Sequence, residues 1–134
     1  MKDSKKVILV DAVHTLVVED EKGFSVFDEM HTLLETFPNR KIVLTGANDE
    51  QYKAFGLQNV PYEVFTLKHN PEKTDPEYYR KLLQVFDLKP EQTVYFEHDD
   101  QAVKSAESVG IVSYWYDSEE KNLKLLADFL KKNL

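Results

Sequence analysis

Asp11 stands at the end of an apolar run, VILVDAVHTLV, where a strand would deliver its carboxylate to one edge of a sheet. Two further runs end in the same way: KIVL leads to Thr45 and Gly46, and TVYF leads to Glu97-His98-Asp99-Asp100. Lys73 lies in the loop ahead of a well-marked helix. A carboxylate, a hydroxyl, an ammonium and an acidic cluster suit phosphoryl chemistry. The carboxylate attacks, the donors hold the phosphoryl oxygens, and the acids hold a magnesium ion that offsets repulsion between two anions. The residue two places after Asp11, where a second acid is expected, is Val13.

These groups meet only if the elements carrying them are ordered correctly. Runs rich in β-branched and aromatic residues at 6–12, 41–45, 62–66, 93–97 and 111–115 read as strands. Helical patterns separate them. Val26, Phe27, Met30, Leu33, Leu34 and Phe37 share one stripe ahead of Pro38. Asn48 and Gln51 form a capping box for the next helix. Asp75 and Pro76 open a third helix, which turns Tyr78, Tyr79, Leu82, Leu83, Val85 and Phe86 to the core. A short helix over 101–108 stops at Gly110, and Leu123, Leu126, Phe129 and Leu130 mark the last. The alternation implies an α/β, Rossmann-like three-layer sandwich with a mostly parallel sheet of about five strands. LVVEDEKGFSV, two apolar arms around a charged turn, adds a small β-hairpin. Right-handed crossovers then bring the strand ends to one edge.

Composition narrows the function classes. Residues 1–134 fit one domain, large enough to bury a core without staples. The absence of cysteine excludes disulfides and zinc-thiolate sites and favours a cytoplasmic location. Apolar runs are too short to span a bilayer, and MKDSKK leads into a strand instead of a signal-peptide core, so no membrane partner is expected. A net charge of −7 argues against nucleic acid, whose binding rests on clustered Lys and Arg.

In order and spacing these segments resemble the motifs of the haloacid dehalogenase (HAD) superfamily, over nearly the whole chain. VILVDAVHTL is similar to the first motif, hhhhDxDGT, at Asp11 and Thr15; KIVLTG resembles the second; KTDPEYY resembles the lysine motif at Lys73; and Glu97-His98 fall on the acidic fourth motif. The resemblance implies a hydrolase of phosphatase type. Asp11, Thr45 and Lys73 would be catalytic, Thr45, Gly46 and Lys73 would hold phosphate, and Asp11, the Val13 carbonyl, Glu97 and Asp99 would hold Mg2+, with Asp100 as an alternative to Asp99. Only about twenty-five residues separate Thr15 from the second long strand, so no cap domain is expected and the site should be open. The substrate would be a phosphorylated small molecule or macromolecule, with self-association as one way to supply a lid.

Two departures qualify that implication. Val13 replaces the aspartate that protonates the leaving group in HAD phosphatases, so turnover should be low. His98 replaces a metal-binding aspartate, and imidazole is a poor partner for magnesium. Together they open a second reading, a non-catalytic binding module on the same fold. A third, dehalogenase-like hydrolysis at carbon, ranks last because the motifs offer no candidate halide-binding arginine. His14, His31 and His69 read as structural or surface residues, and Tyr114-Trp115-Tyr116 as packing at a strand end.

Overall fold

The computed structural model describes residues 5–134; the start of the MKDSKK segment lies outside the described residues. Five strands form one parallel sheet: β1 (Val7–Asp11), β4 (Lys41–Thr45), β5 (Glu63–Thr66), β6 (Thr93–Glu97) and β7 (Val112–Trp115), in the order β5-β4-β1-β6-β7. The strands β2 (Val17–Asp20) and β3 (Gly23–Val26) make the separate antiparallel hairpin, with Val17 opposite Val26. Helices α1 (Asp28–Glu35), α2 (Asp49–Ala54), α3 (Pro76–Val85), α4 (Asp100–Ser108) and α5 (Leu123–Asn133) complete the sandwich.

β1, β4 and β6 are buried at every position, as a parallel sheet covered on both faces requires. The two-residue period divides their side chains between two cores. Ile8, Val10, Val43, Val94 and Phe96 pack with Met30 and Leu34 of α1 and Leu126 and Leu130 of α5. Val7, Leu9, Ile42, Leu44 and Tyr95 pack with Tyr78, Tyr79, Leu82 and Leu83 of α3. The chain runs from β1 through β4 to β5 on one side and returns to β6 and β7 on the other. β1 is therefore the strand at which the order reverses, and open α/β sheets bind ligands outside the carboxyl end of such a strand. Asp11 is its last residue.

Local chemistry fixes the helix starts. Asn48 accepts from Gln51 N at 2.9 Å while the Gln51 side chain accepts from Asn48 N at 3.0 Å, the reciprocal pair expected for α2. Asp75 accepts from Glu77 N at 2.9 Å beside Pro76. Gly110, after α4, has φ +98, and a Cβ there would lie 3.3 Å from Pro90. Two expectations shift. Val26 closes β3 and Phe27 is the cap residue of α1, because Phe27 N bonds Leu16 O at 2.7 Å and ties this stretch to the hairpin base. Val85 is 63% exposed: at the last residue of α3 it has turned off the stripe, and Phe86 closes the core instead against Phe65, 5.8 Å between ring centroids. Among the described residues no helix is long and apolar enough to cross a membrane.

Leu9→Ala, in a strand packed on both faces, should cost about 2–5 kcal/mol, read as a lower urea midpoint with an unchanged m-value. Val85→Ala on the exposed end of α3 should stay within roughly 0.5 kcal/mol of the parent.

Candidate active site

The sheet edge brings the carboxylate, the hydroxyl and the ammonium to one place. Asp11, Val13, Thr45, Gly46, Lys73 and Asp99 all line a cavity of about 190 Å³. That is several times the share of one water in the liquid, roughly 30 Å³. Thr45 Oγ1 accepts from Ala47 N at 3.1 Å, an arrangement that leaves the hydroxyl proton for a ligand. Gly46 sits so close to His69 that a Cβ would come within 3.3 Å of its Nδ1.

Asp11 is 1% exposed and is surrounded by donors. Lys73 Nζ donates to Oδ1 at 2.6 Å. Oδ2 accepts from Thr15 Oγ1 at 2.7 Å, from His98 N at 3.2 Å and from His98 Nδ1. Glu97, fully buried, is held as closely: Oε1 accepts from Lys73 Nζ at 2.7 Å and from the Tyr95 hydroxyl, and Oε2 accepts from Asp99 N at 3.0 Å and lies 3.2 Å from His98 Nδ1. Lys73 and His98 thus each bridge the two acids.

The titration behaviour follows from these contacts. Burial alone would raise the Asp11 pKa, but the charge of Lys73 and the bonds from His98 outweigh it and hold the carboxyl well below its ordinary range. Burial would lower His98, yet its contacts with Asp11 and Glu97 push it up to about 10. Lys73 is likewise raised above its ordinary value, the two acids overcoming burial. The Tyr95 hydroxyl is raised by burial and by the Glu97 charge, which keeps it a donor. Two acidic and two basic side chains therefore share this end of β1.

Asp99 lines the cavity, but its carboxylate caps α4, accepting from Gln101 N at 2.9 Å. Asp100 is exposed at the first position of α4. Among the described residues, the acidic and histidine side chains whose ligand atoms lie within 4.8 Å of one another are Asp11, Glu97 and His98. Three contributors carry no role in the motif reading. The Thr15 hydroxyl reaches back four residues to Asp11. Tyr95 meets Glu97 because residues i and i+2 of a strand face the same side, a signal that the pattern TVYFE contains. His69 forms a cavity wall with both ring nitrogens occupied, by Gln51 Oε1 at 2.5 Å and Glu72 Oε1 at 2.7 Å.

No protein-family model matches the chain, and no curated protein sequence matches it. Solved structures do. A HAD family enzyme of Bacteroides thetaiotaomicron superposes with a TM-score of 0.73 at 13% identity, covering 92% of this chain and 99% of that one. The same enzyme in complex with magnesium and inorganic phosphate gives 0.70 at 14% identity, over 90% and 98%. A HAD-superfamily hydrolase of Ehrlichia chaffeensis gives 0.73 at 14% identity, over 98% of both chains. A dehalogenase matches with 0.57 at 19% identity, over 77% of this chain and 52% of its own. The five-stranded parallel sheet with its hairpin is the HAD-like fold.

The raised His98 pKa makes stability fall with alkaline pH. The folded protein holds this proton more tightly than the unfolded chain, whose His titrates near 6.5. The contribution is therefore complete below about pH 6.5 and is lost as pH climbs through about 10. The thermal midpoint should drop by several degrees between neutral pH and pH 10, each kcal/mol being worth about 3–6 °C for a chain this long. His98→Asn should flatten most of that slope, as followed by circular dichroism melts.

Proposed function

We propose that the protein is a phosphohydrolase of HAD type with Asp11 as its nucleophile. The observation that carries this reading is the meeting of Asp11, Thr45, Gly46 and Lys73 around one anion-sized cavity at the carboxyl end of the strand where the sheet order reverses. Asp11, ionised at any physiological pH, attacks phosphorus, and the bond from phosphorus to the ester oxygen breaks. Water then attacks the aspartyl-phosphate, releasing inorganic phosphate and regenerating the carboxylate. Lys73 and the Thr45 hydroxyl hold phosphoryl oxygens, and the backbone at Gly46 admits them closely.

Val13 lines the cavity where a proton donor to the leaving group belongs. Its side chain can neither donate nor accept a proton, and a positioned acid–base is worth roughly 10² to 10⁴ in rate. The leaving group must depart without a proton from the protein. The substrates are then phosphorylated compounds, small or macromolecular, with acidic leaving groups. The short connections, a β2–β3 hairpin after β1 and the loop at 67–75 after β5, support a capless single-domain enzyme with an open site. The cysteine-free composition supports a cytoplasmic one.

The HAD resemblance implies magnesium, and the Bacteroides enzyme has been crystallised with it. The donor set here does not suit that ion. Magnesium demands oxygen ligands in near-octahedral geometry, whereas the third ligand beside Asp11 and Glu97 is an imidazole nitrogen in direct contact with both carboxylates. Nor does displacement at carbon gain support: the chain's two arginines pair away from the cavity, Arg40 with Glu63 and Arg80 with Glu77.

The combination of Val13 with both Asp11 oxygens fully engaged favours a second reading, a binding module that keeps the anion site without turnover. Steady-state hydrolysis of p-nitrophenyl phosphate separates the two. Wild type should turn over slowly, Asp11→Asn should lose at least about 100-fold, and Val13→Asp should gain about 10- to 1,000-fold. Equal rates for wild type and Asp11→Asn remove Asp11 from the reaction, and phosphate binding without hydrolysis selects the binding module.

A further inference from the structure

We propose that His98 does in this site the work of a divalent cation, so that the cavity takes a phosphate-class anion without metal. This rests on the phosphohydrolase reading for the identity of the anion, but its structural basis is separate.

Nδ1 of His98 contacts Asp11 Oδ2 directly and stands 3.2 Å from Glu97 Oε2. A metal ion bridging these oxygens would have to displace the ring. The ring is also anchored. Its own backbone N–H donates to Asp11 Oδ2 at 3.2 Å, its carbonyl accepts from Trp115 Nε1 at 2.8 Å, and its face or edge meets His14 with 5.4 Å between centroids. All four carboxylate oxygens of Asp11 and Glu97 already accept from protein donors. Lys73 offsets one of the two negative charges. With an acid at position 98 the surplus would grow and a divalent ion would be needed to offset it. With His98 the place between the two acids is held by a ring nitrogen that donates to Asp11 and cannot leave. A phosphate dianion approaching Asp11 then faces Lys73 and His98 in place of Lys73 and a metal ion.

The test is calorimetric titration of the whole protein with magnesium chloride and with zinc chloride. A phosphorus NMR titration with inorganic phosphate, in excess EDTA and in excess magnesium, accompanies it. Wild type should give no metal-binding heat, and its phosphate affinity should differ by less than about twofold between the two conditions. His98→Asp should acquire magnesium binding, and magnesium should then strengthen phosphate binding by about 5- to 150-fold, the usual span of coupling between two ligands. Sub-millimolar binding of either metal to wild type, or a gain of about tenfold in its phosphate affinity on adding magnesium, overturns the proposal. Both wild-type titrations decide the matter even if His98→Asp fails to fold. If phosphate binds in neither condition, the phosphohydrolase reading fails, while the metal titrations still decide the role of His98.

Discussion

A carboxylate buried at the end of β1 must be neutralised, and the arrangement around it follows from that requirement. Taking an ionised acid out of water costs several kcal/mol even after the protein relaxes. Two acids side by side, Asp11 and Glu97, compound the cost. The structure meets it with two cations that each touch both acids, together with hydroxyl donors from Thr15 and Tyr95. Removing one member of such a set leaves an unpaired buried charge, at about 3–5 kcal/mol. Lys73, which sits in a loop, is thereby tied to the ends of β1 and β6.

The same requirement shapes the surroundings. Tyr78 and Tyr79 come from the face of α3 that covers the sheet. The Tyr78 hydroxyl donates to Thr45 O at 2.7 Å, pinning the strand end that carries the phosphate-side hydroxyl. Asp99 N closes the remaining side of Glu97. α3, α4 and the ends of the three central strands β1, β4 and β6 thus form one connected frame, the kind of support a pre-organised anion site needs.

Much of the fold was legible because its signals are local or periodic. The apolar runs of β1, β4 and β6, the Asn48–Gln51 box and the Asp75-Pro76 start each contain their own explanation. So did the convergence of Asp11, Thr45 and Lys73, which follows once the strands are parallel and the connections right-handed. What was hidden depended on side-chain direction. The sequence places three acids and a histidine in succession at 97–100. Only the geometry shows that Glu97 points inward, that Asp99 spends its carboxylate on a helix cap, and that the His98 ring lies across both buried acids. His69 was hidden for a similar reason: its place in the cavity wall depends on the path of the loop after β5, which no periodicity fixes.

Trp115 is the chain's only tryptophan, half exposed on the outermost strand, and its indole N–H is bonded to the carbonyl of His98. The protein therefore carries an intrinsic optical reporter one hydrogen bond from its charge cluster. Because no other indole contributes background, a change in emission on adding an anion reads out motion at that single backbone position, without labels.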